Sequence, residues 1–204
     1  SGELLHIRKD RAFRGHASIR ENIASLLLKS LFKDFELDGN FNVIDPMCGT
    51  GTFLYEKNNE NKLQTRDFLY QNFNPQLIKD LPKLNAPKLD KKFKLYGLEL
   101  DQHILDNNHS DEINFTQHNI FSAAPITGQN IVIINPPYGK KIKIEGNKTE
   151  FFKSIYQAVQ KNYNPIRFGM IIPKDYIGNL PGKRLFFKQN GIDVCFLINK
   201  TKGE

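Results

Sequence analysis

Apolar residues Ile19, Ile23, Leu26, Leu27 and Leu31 recur at helical spacing and predict an amphipathic helix running to about Phe32. Ser18 and Glu21 stand at capping-box spacing, so the helix is expected to start there. Asp38-Gly39-Asn40 breaks the chain, and the apolar run 41–44 after it predicts a short buried strand. Further strands are predicted at 93–100, 113–116, 131–134 and 168–172. Between them a helix is expected through 53–56, a helical turn or two at 102–108, and a longer helix at 149–161 carried by Phe152, Ile155, Tyr156 and Val159. The tail pairs 183–188 with 192–198 around Gln189-Asn190-Gly191, where Asn-Gly is the turn signal of an antiparallel hairpin. The stretch 57–92 is polar and interrupted by Pro75, Pro82 and Pro87, with one short helix at 67–73. It is expected to be an insertion or a long crossover, because nothing in it could build its own core.

Strand–loop–helix alternation closed by a hairpin predicts an α/β fold: a doubly wound, mostly parallel sheet with an antiparallel edge and helices on both faces. Ligands of such sheets lie beyond the carboxyl ends of the strands, near the topological switch point. The 204 residues suit one domain spanning 1–204, with 1–35 as a helical lead-in. At 39% hydrophobic and 25% charged residues the composition is that of a globular chain, and no apolar run approaches the ~20 residues of a membrane span. The N-terminus is polar and basic rather than signal-like, and Cys48 and Cys195 are isolated thiols without metal-ligand spacing, so a cytoplasmic, metal-free protein is expected. The net charge of +7 is compatible with a nucleic-acid partner, but it carries weight only where it clusters near a site.

Two segments at strand ends carry chemistry. Asp45-Pro46-Met47-Cys48-Gly49-Thr50-Gly51-Thr52 joins the first strand to a helix. Its glycines permit a tight turn and close backbone approach to a ligand. It lacks the Gly-Lys-Ser/Thr ending of a Walker loop, and Met47 stands where a dinucleotide fingerprint needs its first glycine. Glu99 ends the next strand, where an acid can accept hydrogen bonds from ribose hydroxyls, with Asp101 competing for that role. Asn119 follows the third strand and could meet an adenine edge. The second segment, Asn135-Pro136-Pro137-Tyr138, ends the apolar run 131–134. The prolines stiffen the turn and donate nothing. The Asn135 side-chain oxygen and the Pro136 carbonyl then form a rigid acceptor pair beside a stacking ring, suited to an exocyclic amino group on a flat base. Lys140, Lys141, Lys143 and Lys148 follow as a candidate phosphate clamp, and Arg8, Lys9, Arg11 and Arg14 form a second basic cluster.

The runs Asp45-Pro46-Met47-Cys48-Gly49-Thr50-Gly51-Thr52-Phe53-Leu54, then Tyr96-Gly97-Leu98-Glu99-Leu100-Asp101, then Asn135-Pro136-Pro137-Tyr138-Gly139, resemble the THUMP-associated RNA methylase family, which includes guanine-N2 methyltransferases of ribosomal and transfer RNA. The stretches 14–24 and 186–195 resemble its first helix and terminal hairpin. The resemblance implies a Rossmann-like class I methyltransferase domain with a seven-stranded sheet and S-adenosylmethionine as cofactor. It implies that Asp45, Pro46, Cys48, Gly49, Gly51, Thr52, Glu99, Leu100, Asn119 and Ile120 form the cofactor site. Asn135, Pro136, Pro137 and Tyr138 would be catalytic, and Tyr138, Lys140, Lys141 and Lys143 would bind RNA substrate. Asn119 departs from the acidic residue many relatives carry there, and no THUMP segment precedes the catalytic part: either the chain is cut from a longer protein that supplies it, or RNA delivery depends on something else. An adenine-N6 DNA methyltransferase shares the Asn-Pro-Pro-Tyr motif and is the alternative, followed by a non-catalytic RNA-binding module of the same fold.

Overall fold

A computed structural model describes residues 19–33, 40–59, 93–123, 126–138 and 146–200. Its elements are α1 (Glu21–Phe32), β1 (Phe41–Asp45), α2 (Thr52–Asn59), β2 (Phe93–Glu99) and α3 (Gln102–Leu105). They continue with β3 (Ile113–Gln117), β4 (Asn130–Ile134), α4 (Lys148–Tyr163), β5 (Arg167–Pro173), β6 (Lys183–Gln189) and β7 (Ile192–Lys200), with a 3-10 turn at Lys174–Tyr176. The strands form one seven-stranded sheet in the order β3-β2-β1-β4-β5-β7-β6. Strands β1 to β5 are parallel, whereas β7 runs antiparallel to both β5 and β6. The hairpin therefore inserts its second strand beside β5 and leaves β6 at the edge. Asn190 and Gly191 at its tip take φ of 50° and 81°, the left-handed pair that a two-residue hairpin turn demands.

Every residue of β1, β4 and β5 is buried, which is why these strands appear as unbroken apolar runs rather than as alternation. One face packs against α1 and α2 through Ala24, Leu27, Leu28, Leu31, Phe53 and Leu54. The other packs against α4 through Phe152, Ile155 and Val159. Burying a large apolar side chain in this way contributes about 1.5–3 kcal/mol. Arg167 of β5 ties one layer to the sheet: its buried guanidinium donates to the Leu31 carbonyl at 2.6 Å and the Lys33 carbonyl at 2.7 Å. A cation thus satisfies the orphan carbonyls at the end of α1.

Two expectations for α1 are corrected. The helix starts at Glu21, with Arg20 as N-cap and no side-chain cap bond, and Ser18 lies outside the described residues. Leu26 is 62% exposed, and the buried stripe is instead Ala24, Leu27, Leu28 and Leu31. That is the i, i+3, i+4, i+7 face, from whose centre Leu26 is turned by about 150°. Helix α2 extends to Asn59 and so claims 57–59 of the expected insertion, while 60–92, including the helix expected at 67–73, lies outside the described residues.

The chain runs outward from β1 to β2 and β3, then returns to β4 on the other flank of β1, so the topological switch falls between β1 and β4. Ile44 is level with Val132 across that pair. The glycine-bearing loop after β1 and Asn135 after β4 consequently emerge side by side at the same rim.

Candidate active site

Asp45, 2% exposed, closes β1, and its Oδ1 accepts the Met47 N–H at 3.2 Å. The Cys48 N–H donates to the Leu98 carbonyl at 3.0 Å, which folds the loop against β2. The Gly51 N–H donates to the Cys48 carbonyl at 2.8 Å and the Tyr55 N–H to the Gly51 carbonyl at 2.9 Å, so α2 begins at once. Gly49 and Gly51 have φ of 52° and 68°. A Cβ on Gly51 would meet the Tyr55 ring at 3.0 Å and Phe115 at 3.2 Å, whereas one on Gly49 would meet nothing within 4 Å. Gly51 thus serves packing, and Gly49 turns open space toward solvent. Pro46 and Thr52 are buried behind the loop.

Glu99 saturates much of its carboxylate on backbone. Oε2 accepts the Gly49 N–H at 2.9 Å, and Oε1 accepts the Leu100 and Asp101 N–H groups at 2.9 and 3.2 Å. One acceptor direction on Oε2 remains, since a carboxylate oxygen takes two donors. Asp101, the competing acid, is instead the N-cap of α3 and accepts the His103 N–H at 2.9 Å. Asn108, which sequence reasoning missed, donates from Nδ2 to the Gly49 carbonyl at 2.7 Å. The Gly49 residue is therefore gripped at both its N–H and its C=O.

The two acids give the loop its electrostatic character. Burial holds the Asp45 carboxyl well above the usual carboxylate range, against the Met47 N–H and reinforced by the nearby charge of Glu99. Burial and the same two carboxylates push the Cys48 thiol far up, so this thiol is inert. A cation entering the loop would find two acids, one of them desolvated.

The remaining residues of the expected cofactor set lie at the ends of β2 and β3. Leu100 is 62% exposed, and its carbonyl accepts from Gln117 Nε2 at 3.0 Å. Asn119 turns its Oδ1 back to the Phe121 N–H at 3.0 Å, which leaves its amide nitrogen as the group it can offer outward. Ile120 is buried in the core, and the apolar surface beside it belongs to Phe121, 53% exposed and also missed. The two differ by one position after the strand, which no period resolves.

At the end of β4 the polar balance reverses. Asn135 Oδ1 and the Tyr138 hydroxyl are buried and find no hydrogen-bond partner among the described residues. Tyr138 packs against both core layers, so its ring is fixed, and burial raises its hydroxyl above the ordinary tyrosine value. Pro136 is buried and Pro137 half-buried, which keeps the turn rigid. Lys140, Lys141 and Lys143 lie outside the described residues, as do Arg8, Lys9, Arg11 and Arg14. Lys148 is described, with its Nζ 5.4 Å from the centre of the Tyr176 ring. Among the described residues no group of three or more His, Cys, Asp or Glu could hold a metal, and no helix is long and apolar enough to cross a membrane.

A family model described as "RMKL-like, methyltransferase domain" matches residues 8–176. A ribosomal RNA large subunit methyltransferase K/L of Shewanella frigidimarina is 28% identical over 183 residues, 79% of this chain and 25% of that protein. A tRNA (guanine(6)-N2)-methyltransferase of Archaeoglobus fulgidus is 28% identical over 173 residues, 79% of this chain and 41% of that one. The chain thus spans between a quarter and less than half of these relatives. Among solved structures, SMU.472, described as a methyltransferase and crystallised with SAH, superposes with a TM-score of 0.63 at 17% identity, covering 96% of this chain and 56% of that one. At that identity the likeness establishes the fold, the seven-stranded class I methyltransferase sheet.

Proposed function

The chain belongs to the RMKL-like methyltransferase domain family, and on that premise we propose that it transfers a methyl group from S-adenosylmethionine to the exocyclic amino group of a base in RNA. Guanine N2 is the favoured acceptor, as named for the tRNA relative, and ribosomal RNA, named for the other, is the second candidate substrate. The observation that supports this most is the buried Asn135 Oδ1, without a partner among the described residues, at the rim beside the glycine loop. An unpaired buried acceptor costs about 1–3 kcal/mol. A base presenting N–H hydrogens would recover it.

The residues of the loop fit the cofactor. Its ammonium and sulfonium are cationic, matching Asp45 and Glu99, and the open space over Gly49 admits an aminoacyl chain close to backbone. Asp45, Pro46, Cys48, Gly49, Gly51 and Thr52 would hold the methionine end, Glu99 the ribose through its remaining lone pair, and Leu100, Asn119 and Ile120 the neighbourhood of the adenine. When bound, the cofactor supplies a methyl group already activated by the sulfonium. The protein's part is alignment. Asn135 Oδ1 and the Pro136 carbonyl accept the two amino hydrogens, draw the nitrogen toward tetrahedral geometry and aim its lone pair at the methyl carbon. Pro137 keeps the turn from yielding. Tyr138 stacks on the base, a contact worth about 1–3 kcal/mol. The base reaches this turn only from single-stranded or flipped-out RNA. Lys140, Lys141 and Lys143 would neutralise phosphates, and a THUMP domain elsewhere in a longer cytoplasmic protein would deliver the RNA.

Calorimetric titration with S-adenosylmethionine, then nucleoside analysis after incubation with ribosomal RNA, transfer RNA or DNA, tests the proposal. N2-methylguanosine is expected. N6-methyladenine in DNA would move the acceptor to adenine, and absence of cofactor binding would remove the enzymatic reading.

A further inference from the structure

The residues proposed to hold the cofactor occupy the carboxyl ends of β1, β2 and β3, one half of the sheet. The proposed base-binding turn follows β4, so nucleic acid has only the other half, β5-β7-β6, along which to approach. That half ends in an edge strand of unusual composition. Alternate residues of β6, Arg184, Phe186 and Lys188, share one face and are all exposed, while Leu185 and Phe187 between them pack on the opposite, α1-side core. Phe186 is 58% exposed, although it pairs with a fully buried neighbour, Cys195 of β7. An aromatic ring bracketed by two cations at period two makes a base-stacking platform flanked by phosphate partners.

Register places this platform at the height of the site. Ile134, Met170, Leu197 and Arg184 lie in one row across β4, β5, β7 and β6. Two residues further along, the row from β6 starts at Phe186 and reaches the level of Pro136. Three strand spacings separate them laterally, about 14 Å, the reach of a few nucleotides. The ground between is also cationic and aromatic. Tyr176 follows β5 with Lys148 over its ring, and Arg184 braces the β5–β6 connection by donating to the carbonyls of Gly178 and Leu180 at 3.4 and 3.2 Å. Acidic residues are present but do not block the track. Asp193 faces Lys188 at 3.8 Å as an exposed pair, of the kind that contributes little and yields to a phosphate, and Asp175 lies beyond the end of β5.

We infer that the exposed face of β6 is a second nucleic-acid contact, in which Phe186 stacks on an unpaired base a few nucleotides from the methylated one while Lys188 and Arg184 neutralise the phosphates beside it. This rests on the proposed RNA-directed transfer. It adds a substrate surface that the motifs do not contain, since β6 lies outside the segment matched by the family model.

The test uses the full chain and a fluorescein-labelled single-stranded oligoribonucleotide of mixed sequence, read by anisotropy, with calorimetry of S-adenosylmethionine alongside. Phe186→Ala is expected to weaken RNA binding about fivefold to a hundredfold, with cofactor affinity and thermal midpoint unchanged, and Phe186→Tyr to restore it. Lys188→Gln should lower the slope of log affinity against log salt by about 0.7. Wild-type RNA affinity in Phe186→Ala would overturn the inference, and loss of self-association instead would reassign β6 to a protein interface. If the wild-type chain binds cofactor and methylates RNA while Phe186→Ala does so with unchanged KM, only this inference fails. If the wild-type chain binds neither, the proposed function fails with it.

Discussion

Substituting Glu99 by glutamine changes no volume and removes one charge, so it isolates the grip on Gly49. In the wild-type chain the carboxylate accepts three backbone N–H groups at 2.9, 2.9 and 3.2 Å. A glutamine oxygen can keep Leu100 and Asp101, but its NH2 then faces the Gly49 N–H, donor against donor. One charge-assisted bond is lost, worth about 1.5–3 kcal/mol. Relief of the repulsion on Asp45 offsets part of this, but Glu99 ranks behind both burial and the Met47 N–H among the influences on that carboxyl. Gly49 is half-buried, so water recovers some of the remainder. The net expectation is a loss of about 1.5 kcal/mol, seen as a urea midpoint lowered by about 1 M at ordinary m-values. Cofactor affinity, by calorimetry, should fall more than tenfold because the glycine peptide is no longer held. Asn108→Ala removes the other half of the grip, and its effect combined with Glu99→Gln should be less than additive. An unchanged midpoint together with unchanged cofactor affinity in Glu99→Gln would refute the clamp.

Asn135→Ala is expected to abolish methyl transfer with cofactor affinity nearly intact, because it removes an acceptor that has no partner among the described residues; wild-type turnover on RNA would exclude it from the reaction. Asp45 titrates higher in the folded than in the unfolded chain, so its contribution to stability is greatest below the unfolded carboxylate value of about 3.9 and is lost as pH rises through the folded value. Asp45→Asn should therefore be more stable than wild type at neutral pH, by thermal melts across pH, while binding S-adenosylmethionine more weakly and losing the rise in affinity with pH. Gly97→Ala places a Cβ 2.5 Å from Phe115 and 3.0 Å from Leu54, and overpacking of this kind should lower stability by about 1–3 kcal/mol in urea titration. Tyr138→Phe deletes a buried hydroxyl without a partner among the described residues, so its urea midpoint should equal or exceed that of wild type, and a drop would mean the hydroxyl is already satisfied.

The strands were legible because β1, β4 and β5 are buried on both faces, which forces uninterrupted apolar residues, and because Asn190-Gly191 is the pair that a tight hairpin turn selects. The start of α1 was not legible: Ser18 and Glu21 satisfy the spacing of a capping box, yet Arg20 precedes the first helical turn and no side chain caps it. Leu26 shows the same limit, since a leucine one step off the stripe is chemically identical to one on it. Within the site, the rim positions of Asp45, Glu99 and Asn135 followed from strand ends alone. What each side chain does there depended on contacts far apart in sequence. Asn108 reaches Gly49 across 59 residues and Glu99 reaches it across 50, and no local pattern announces either. The division of labour between Glu99 and Asp101 likewise emerged only when α3 took Asp101 as its cap.

The two halves of the rim are built on opposite principles. In the glycine loop the key polar groups are held internally: Asp45 accepts from Met47, Glu99 from three N–H groups, and Gly49 is bonded from both sides. Such bonding favours a loop already shaped before a ligand arrives, so the proposed cofactor would bind without ordering it. The Asn135–Tyr138 turn is equally rigid, because its prolines and the packing of Tyr138 fix it, but its buried acceptor and hydroxyl find no partner among the described residues. A rigid, unsatisfied acceptor discriminates strongly. On the proposed function, a base with an amino group in reach would complete it, whereas one presenting a carbonyl there would leave two buried acceptors opposed. Sites built to hydrogen-bond a substrate N–H can reject the analogue lacking it by factors of about 10⁴. Choice between amino-bearing bases would then fall to the surroundings of the turn, where the proposed track from Tyr176 to Phe186 on β6 would supply the contacts.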